Sequence, residues 1–276
     1  MALFQPSHKQ FTSTAPTASI TQIKSRISPW LTPLAYLLGQ VVIPVFFRRV
    51  RVIGLENVPK VGATMVAPTH RSRWDGILLA HILGRRTTGR DIHFMVTENE
   101  TKGFQGWFVE RLGGFPINPK RPAIASIRHG VEILQNQEMM VIFPEGGIYR
   151  DGQVHDLKSG LARLALQAES SRPGLEIKIV PITLHYTHEV PDWGCEVTVR
   201  IGEPIETSQY IDGNIKQNSK ALMAELETAL KGLNAMQADP TIATLPTPAH
   251  LPASPALSEE LPADLPYPQS DSPSLA

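Results

Sequence analysis

The chain has 276 residues, of which 42% are hydrophobic and 19% charged, a composition typical of a folded protein rather than of a disordered chain or a coiled coil. Basic and acidic residues balance at 26 each, which argues against the strongly positive field of nucleic-acid binding proteins, so no nucleic-acid partner is expected. The single cysteine, Cys195, excludes an internal disulfide scaffold and a cysteine-rich zinc site.

The first 26 residues are polar and are predicted to form a flexible N-terminus without a cleavable signal peptide. Residues 27–47 then carry no charged side chain, and a helix of about 20 such residues is long enough to cross a bilayer. Pro33 and Pro44 are expected to kink or break this helix, and basic residues flank both of its ends. We therefore predict that residues 27–49 form a broken helix lying in the membrane interface. A helix packed on the protein's own core and a single membrane span are the alternatives.

Residues 50–236 alternate short β-rich runs with helical patterns and are predicted to form one domain. Strands are predicted at residues 51–54, 63–68, 92–96, 115–117, 139–143, 177–184 and 196–202, and helices at residues 73–83, 103–112, 123–135, 159–169 and 216–236. The expected fold class is α/β, with a mixed, mainly parallel sheet flanked by helices and an N-terminal membrane-associating helical segment. In such folds ligands bind beyond the carboxyl ends of the strands.

Residues 237–276 differ again, because the stretch from Pro240 onward holds nine prolines and four acidic residues but no Lys or Arg. This composition predicts a disordered tail that is either dispensable or binds a partner. Without residues 240–276, 26 basic residues face 22 acidic ones. The folded part is therefore mildly basic, which suits an anionic membrane surface or a phosphorylated substrate.

Two polar side chains, His70 and Asp75, follow the predicted strand at residues 63–68. Ser72 is a good N-cap, Asp75 follows it at capping-box spacing and Gly84 is a natural C-cap, so a helix is predicted to begin after Ser72. The turn before this helix allows His70 and Asp75 to meet. An imidazole with a carboxylate on one nitrogen can take a proton from a hydroxyl with the other nitrogen. The alternative is that Asp75 only caps the helix and that His70 is a surface residue.

A second polar turn follows the predicted strand at residues 139–143 and contains Glu145, Gly146 and Gly147. Paired glycines let a backbone approach a ligand closely, and exposed N–H groups after a strand can bind a phosphate or an oxyanion. Lys158 precedes a predicted helix whose N-terminus could also hold an anion. An ordinary turn without a ligand is the alternative.

These motifs, in this order, resemble those of the glycerolipid acyltransferases. His70 and Asp75 match the family's H-x4-D motif, residues 143–146 match its F-P-E-G motif, and residues 180–182 match its V-P-I-like block. The resemblance covers about residues 50–202.

The resemblance implies an O-acyltransferase that moves a fatty acyl group from an acyl thioester to the sn-2 hydroxyl of 1-acyl-sn-glycerol 3-phosphate, giving phosphatidate for phospholipid biosynthesis. His70 would be the general base, held by Asp75. The donor would be acyl-ACP or acyl-CoA, the acceptor a lysophospholipid, and the protein would associate with the membrane at its cytoplasmic face. No acyl-enzyme, metal or cofactor is implied, so Cys195 is expected to be structural.

Three positions depart from the family pattern. Before His70, Thr69 stands where the family commonly has Asn. In the second motif, residues 113–121, Pro119 stands where the family has the arginine assigned to the acceptor's phosphate, so Lys120 or Arg121 is expected to replace it. In the third motif Gly147 replaces the usual Thr or Ser. The residues expected to bind substrate are Glu145, Gly146, Gly147, Lys120, Arg121 and Lys158.

The altered second motif leaves the acceptor open between lysophosphatidate, glycerol 3-phosphate and another lysophospholipid. Two other classes of protein remain as alternatives. One is a non-catalytic lipid-binding or scaffold protein, and the other is a hydrolase that uses the same pair of residues to activate water.

Overall fold

The computed structural model describes residues 25–236. The predicted flexible N-terminus, apart from its last two residues, and the predicted proline-rich tail lie outside the described residues. The strands are β1 (Arg49–Ile53), β2 (Thr64–Pro68), β3 (Ile92–Thr97), β4 (Gly114–Ile117), β5 (Met139–Val141), β6 (Lys178–Tyr186), β7 (Glu196–Ile201) and β8 (Ile205–Glu206). The α-helices are α1 (Leu31–Phe46), α2 (Asp75–Leu83), α3 (Arg85–Thr88), α4 (Gly103–Arg111), α5 (Ile124–Gln135), α6 (Gly160–Ser171) and α7 (Ile215–Ala235).

All of these strands belong to one sheet, in the order β1-β7-β6-β2-β5-β3-β4, with β8 paired to β6. The strands from β6 to β4 run parallel, since every pairing among them is parallel. β7 pairs antiparallel with β6 and parallel with β1, so these two strands run in the opposite direction. The predicted mixed, mainly parallel sheet flanked by helices is confirmed.

The side chains of the central strand β2 alternate between two hydrophobic cores. Every residue of β2 is buried, as expected of a strand covered on both faces. Met65 and Ala67 pack with residues of α5, α6 and α7. Val66 packs on the other face with residues of α1 and α2. The helices therefore cover both faces of the sheet and leave the carboxyl ends of the parallel strands free to carry a site.

Each strand and helix predicted within residues 50–236 is present, and the ends agree within two residues. The two-residue strand β8 and the one-turn helix α3 were not predicted. β5 ends before residue 143, where its predicted strand ended, because the chain turns sharply there. The carbonyl of Phe143 accepts a hydrogen bond from the N–H of Gly146 at 3.2 Å.

The apolar N-terminal segment forms the uninterrupted helix α1, so the predicted break in this helix is wrong. Pro33 is the third residue of α1, where a backbone N–H has no partner within the helix. Pro44 lies in the last turn, so it removes a hydrogen bond only near the helix end. Within residues 25–236, no helix is both long and apolar enough to cross a bilayer.

One face of α1 packs on the protein and the opposite face is exposed and apolar. Ile43, together with Phe47 directly after the helix, is buried in the core beside α2. The outward stripe consists of side chains that are 56% to 60% exposed, namely Leu34, Leu37, Leu38, Val41 and Val45. Single exposed apolar residues are ordinary, whereas a contiguous apolar surface marks contact with a partner or a membrane.

Gly84 ends α2 as predicted, but for a different reason. Its φ is −73°, so the left-handed freedom of glycine is not used. A Cβ on Gly84 would overlap the ring of Tyr36 on α1 and the carbonyl of Ala80. Gly84 therefore permits the close packing of α1 on α2.

Candidate active site

Three neighbouring strands end at the same edge of the sheet, and polar residues at that edge belong to each of them. His70 follows β2, Glu145 follows β5, and Tyr186 is the last residue of β6. These strands are adjacent in the order β6-β2-β5 and all run parallel. Residues far apart in the sequence therefore meet at the position where α/β folds bind their ligands.

The predicted pair of His70 and Asp75 is formed at this edge. Nδ1 of His70 lies 2.8 Å from Oδ2 of Asp75, and the Asp75 carboxylate is fully buried whereas the His70 side chain is 21% exposed. A carboxylate on Nδ1 favours the tautomer that leaves a lone pair on Nε2. Within residues 25–236, no group is hydrogen-bonded to Nε2. The ring of Phe143 stacks on the imidazole with centroids 4.0 Å apart, so the ring is held while one basic nitrogen stays unused.

The turn between the two residues is built by Ser72. Its Oγ accepts a hydrogen bond from the N–H of Trp74 at 3.2 Å. The carboxylate of Asp75 accepts from the N–H of Ser72 at 2.8 Å and from that of Arg71 at 2.6 Å. α2 is assigned from Asp75, two residues after the predicted start. These N–H groups precede α2, and no side chain caps the start of that helix. Asp75 therefore holds the turn and His70 together, which favours the pair over the interpretation in which Asp75 only caps the helix.

The second oxygen of Asp75 is bound by a residue 111 positions away in the chain. Oη of Tyr186 donates a hydrogen bond to Oδ1 at 2.6 Å, and Tyr186 is only 8% exposed. Burial, and then the charge of Asp75, raise the pKa of Tyr186 above its ordinary value. The phenol therefore stays protonated and acts as a donor.

Glu145 is fully buried and forms an ion pair with Arg71, whose side chain is 5% exposed. Its Oε2 accepts from Nη1 of Arg71 at 2.8 Å and from the N–H of His70 at 2.7 Å. Its Oε1 accepts from Nη2 of Arg71 at 3.1 Å and from the N–H of His155 at 3.1 Å. These donors use about as many lone pairs as a carboxylate has. Glu145 therefore joins the turn after β2 to the loop after β5, and its oxygens have no capacity left for a ligand.

Gly146 and Gly147 have different local roles. Gly146 has a φ of +71°, which favours glycine, and its N–H is bonded to the carbonyl of Phe143. The N–H of Gly147 has no acceptor in the described part of the chain, so it is free to bind an oxyanion. The side chain of Lys158 lies beside this turn, since a Cβ on Gly146 would be 3.4 Å from Cγ of Lys158. Lys158 is exposed.

Lys120 and Arg121 lie at the same edge but further along it. They follow β4, which is three strands away from β2, a separation on the order of 14 Å. Oδ1 of Asn118 accepts from both of their N–H groups at 3.1 Å and shapes the turn. Both side chains are exposed. The structure thus gives these cations no direct contact with His70, and a ligand touching all three would extend along the strand ends.

Sequence reasoning missed Arg71 and Tyr186. Arg71 stands inside the H-x4-D motif, but an arginine next to a histidine in a turn is typical of a surface residue. Tyr186 follows the V-P-I-like block by four residues, and only the pairing of β6 with β2 brings it to Asp75. A signal did exist for Tyr186, because a tyrosine that ends a buried strand at the ligand-binding edge needs a partner for its hydroxyl.

One group of three possible metal ligands comes together among the described residues, in the hairpin between β6 and β7. It consists of His188, Asp192 and Cys195. Nδ1 of His188 and Oδ1 of Asp192 are 2.6 Å apart, which is a hydrogen-bond distance, whereas two ligands of one tetrahedral zinc ion lie about 3.4 Å apart. Cys195 is a free, buried thiol.

Known proteins with similar sequences point to one family. Residues 49–185 match the family model described as Acyltransferase. The 1-acyl-sn-glycerol-3-phosphate acyltransferase of Streptococcus pneumoniae is 28% identical over 150 residues, covering 52% of this chain and 50% of that protein. The Bacillus subtilis protein of the same name is 25% identical over 191 residues, covering 67% of this chain and 87% of that protein.

A third relative carries a different name. Glycerol-3-phosphate O-acyltransferase 1 of Saccharomyces cerevisiae is 32% identical over 108 residues, covering 38% of this chain and 14% of that protein. The chain thus spans half the length of the pneumococcal relative and a small part of the yeast one.

The fold is also known from a crystal structure. The 1-acyl-sn-glycerophosphate acyltransferase of Thermotoga maritima superposes with a TM-score of 0.57 at 20% identity, over 76% of this chain and 80% of that chain. This likeness establishes a shared fold. The family match shows that residues 49–185 form a domain of the acyltransferase family, and with the relatives from Streptococcus pneumoniae and Bacillus subtilis it shows that this chain resembles the glycerolipid acyltransferases named for 1-acyl-sn-glycerol 3-phosphate.

Proposed function

We propose that this protein transfers a fatty acyl group from an acyl thioester to the sn-2 hydroxyl of 1-acyl-sn-glycerol 3-phosphate, producing phosphatidate. One observation carries the proposal. His70 is bound through Nδ1 to a fully buried carboxylate while its Nε2 is unused. The relatives from Streptococcus pneumoniae and Bacillus subtilis, both named for this activity, support the choice of reaction.

In this mechanism Nε2 of His70 removes the proton from the acceptor hydroxyl as its oxygen bonds to the thioester carbonyl carbon. Asp75 stabilises the imidazolium that forms. The carbonyl becomes an oxyanion, for which the free N–H of Gly147 is a candidate donor. Collapse of the tetrahedral intermediate breaks the carbon–sulfur bond, and the imidazolium returns the proton to the leaving thiolate. Acyl-ACP and acyl-CoA offer the same thioester to this step.

The residues around the base have two tasks, which are to position the base and to bind the acceptor's phosphate. The carboxylate of Glu145 accepts hydrogen bonds from the guanidinium of Arg71 and from the N–H of His70. We therefore assign Glu145 to positioning the turn that holds His70, instead of binding the acceptor. The acceptor's phosphate then depends on the exposed cations Lys158, Lys120 and Arg121.

A second acceptor, glycerol 3-phosphate, has specific support. The yeast relative is named for it, and Pro119 replaces the arginine that the glycerolipid acyltransferases assign to the acceptor's phosphate. Both acceptors present a primary phosphate monoester and a glycerol hydroxyl, so the same base serves either reaction.

An acceptor panel tests the proposal directly. The purified full chain is assayed with oleoyl-CoA and oleoyl-ACP against lysophosphatidate, glycerol 3-phosphate and lysophosphatidylcholine. We expect lysophosphatidate to give the highest kcat/KM. Preference for glycerol 3-phosphate would keep the mechanism and change the substrate. Fatty acid released without any acceptor would indicate a hydrolase, and folded protein without turnover would indicate a lipid-binding or scaffold protein.

Removing the cations tests how the phosphate is bound. We expect the double substitution Lys120→Ala and Arg121→Ala to raise the acceptor KM about tenfold, since a charge-assisted hydrogen bond contributes roughly 1.5–3 kcal/mol. The donor KM is expected to stay within twofold. Lys60→Ala, an exposed lysine before β2, serves as the control. An unchanged acceptor KM in the double variant would argue against a role for these residues.

We also propose that the exposed stripe of α1, Leu34 to Val45, lies in the membrane interface, with the site at the cytoplasmic face. The stripe is apolar and uncharged, and Arg48 and Arg49 follow the helix as exposed cations suited to anionic head groups. The end of α1 contacts the site, because Phe47 lies 5.5 Å from Trp74 and 6.1 Å from Tyr186 between ring centroids. A bound membrane would therefore deliver its lipids next to the base.

Vesicle flotation measures this association. Leu37→Asp with Val41→Asp is expected to lower the fraction bound to vesicles containing phosphatidylglycerol at least tenfold, since burying each apolar side chain contributes about 1.5–3 kcal/mol. Val61→Asp is the control, because Val61 is 82% exposed but lies in the loop before β2. Equal flotation of all three proteins would contradict the interfacial role of α1.

A further inference from the structure

We infer that Tyr186 is a positioning residue for the catalytic base, acting through the carboxylate of Asp75. This inference rests on the proposed function, because it needs His70 to act as a base. Tyr186 belongs to none of the motifs that resemble the glycerolipid acyltransferases. It is the last residue of β6, beside the strand that leads to His70.

The two oxygens of Asp75 are held very differently. Oδ2 accepts three hydrogen bonds, from Nδ1 of His70 at 2.8 Å and from the N–H groups of Arg71 and Ser72 at 2.6 and 2.8 Å. Oδ1 has a single partner among the described residues, the hydroxyl of Tyr186 at 2.6 Å. Asp75 is fully buried. Without Tyr186, Oδ1 would be an unsatisfied acceptor in the core, and the plane of the carboxylate would lose one of its two anchors.

Tyr186 itself has little freedom to move. It is 8% exposed and packs in the core that contains α1 and α2. The ring of Phe47, directly after α1, lies 6.1 Å from its own. Its hydroxyl is thus held by a rigid sheet element, which is the requirement for orienting a catalytic group.

The hydrogen bond also affects charge. A phenol that donates to Oδ1 withdraws part of the negative charge that the carboxylate otherwise directs at His70. Without this donor, Asp75 stabilises the imidazolium form of His70 more strongly. Because the base must be unprotonated, the acidic limb of the pH profile of kcat/KM then moves to higher pH. A purely structural tyrosine would not move this limb.

The test is Tyr186→Phe in the full chain, assayed with oleoyl-CoA and the acceptor preferred in the panel. We expect kcat to fall about tenfold, as for a lost hydrogen bond to a charged group, with both KM values within twofold. The acidic limb is expected to move to higher pH. Tyr210→Phe, which removes a phenolic hydroxyl from the opposite core, is expected to change none of these values.

Two further variants separate the possible outcomes. In an Asp75→Asn background, Tyr186→Phe is expected to change kcat less than twofold, since the residue acts through that carboxylate. Site-specific 3,5-difluorotyrosine at position 186 keeps the shape but donates more strongly, so the limb is expected to move to lower pH. This variant also decides the question if Tyr186→Phe fails to fold.

Wild-type kcat and an unshifted pH limb in Tyr186→Phe would overturn the inference, and so would an unshifted limb in the difluorotyrosine protein. Failure of the proposed function gives a different result, namely no acyl transfer by the folded wild type or full turnover by His70→Ala. Loss of turnover in His70→Ala with a wild-type Tyr186→Phe would therefore overturn the role of Tyr186 alone.

Discussion

Replacing His70 with alanine is expected to lower kcat about 10³-fold, within the range of general-base catalysis. None of the other histidines paired with a carboxylate in residues 25–236 is placed to take over. His93, His129, His155 and His188 also lie near carboxylates, but the side chains of those carboxylates are 44% to 67% exposed. The carboxylate paired with His70 is fully buried. Among these pairs in the described residues, only that of His70 and Asp75 combines a fully buried carboxylate with a position at the carboxyl ends of the parallel strands.

The measurement is single-turnover acyl transfer by wild type and His70→Ala, with thermal unfolding recorded for both. His188→Ala is the matched control, since it removes a histidine that is 2.6 Å from an aspartate in an exposed hairpin. We expect the control to retain wild-type turnover and His70→Ala to keep the wild-type unfolding temperature within a few degrees. Turnover by His70→Ala within tenfold of wild type would contradict the assignment of the base.

Replacing Glu145 with alanine is expected to lower the free energy of unfolding by about 3–5 kcal/mol. The substitution leaves the guanidinium of Arg71 buried without its counter-charge, and it frees the N–H groups of His70 and His155. Turnover is expected to fall as well, because the backbone of His70 loses its anchor. Urea unfolding followed by circular dichroism gives the stability change, and the acyl-transfer assay gives the change in kcat.

A solvent-exposed pair provides the comparison. Arg73 and Glu100 lie 2.7 Å apart, with side chains that are 69% and 35% exposed, so Glu100→Ala is expected to cost less than about 1 kcal/mol. Arg71→Met combined with Glu145→Ala is expected to be more stable than Glu145→Ala alone, since no unpaired charge then remains buried. A loss below about 1 kcal/mol in Glu145→Ala would mean that Arg71 finds another partner, which would contradict this account of the turn.

The local parts of the fold were predictable because their signals lie within short stretches of sequence. The strand pattern at residues 63–68 and the Ser72–Asp75 spacing predicted the turn, and this turn allowed His70 to meet Asp75. Within residues 50–236, the elements follow the alternation of β-rich and helical runs that a mainly parallel sheet requires. α1 was mispredicted as broken because a proline's effect depends on its place in the helix. Pro33 and Pro44 occupy the first and last turns.

The partners of the site residues could not be predicted in the same way. The carboxylate of Glu145 was expected to face the acceptor. It lies between two turns instead, and its oxygens accept hydrogen bonds from Arg71 and from backbone N–H groups. Arg71 and Glu145 are 74 residues apart. Which oxygen a buried cation meets depends on strand order, and the adjacency of β2 and β5 is a property of the whole sheet.

The sequence by itself determined the α/β architecture, which follows from periodicity, and the turn that allows His70 to meet Asp75, which follows from residues close together in the chain. The resemblance to glycerolipid acyltransferases follows from motifs matched between residues 50 and 202. The tertiary structure alone decided that Tyr186 completes the Asp75 carboxylate, that Glu145 is engaged by Arg71, and that α1 turns its apolar stripe outward. These contacts arise from parallel strands that bring distant segments to one edge and from helices packed on a common sheet. Their energies depend on burial, which belongs to the folded chain as a whole.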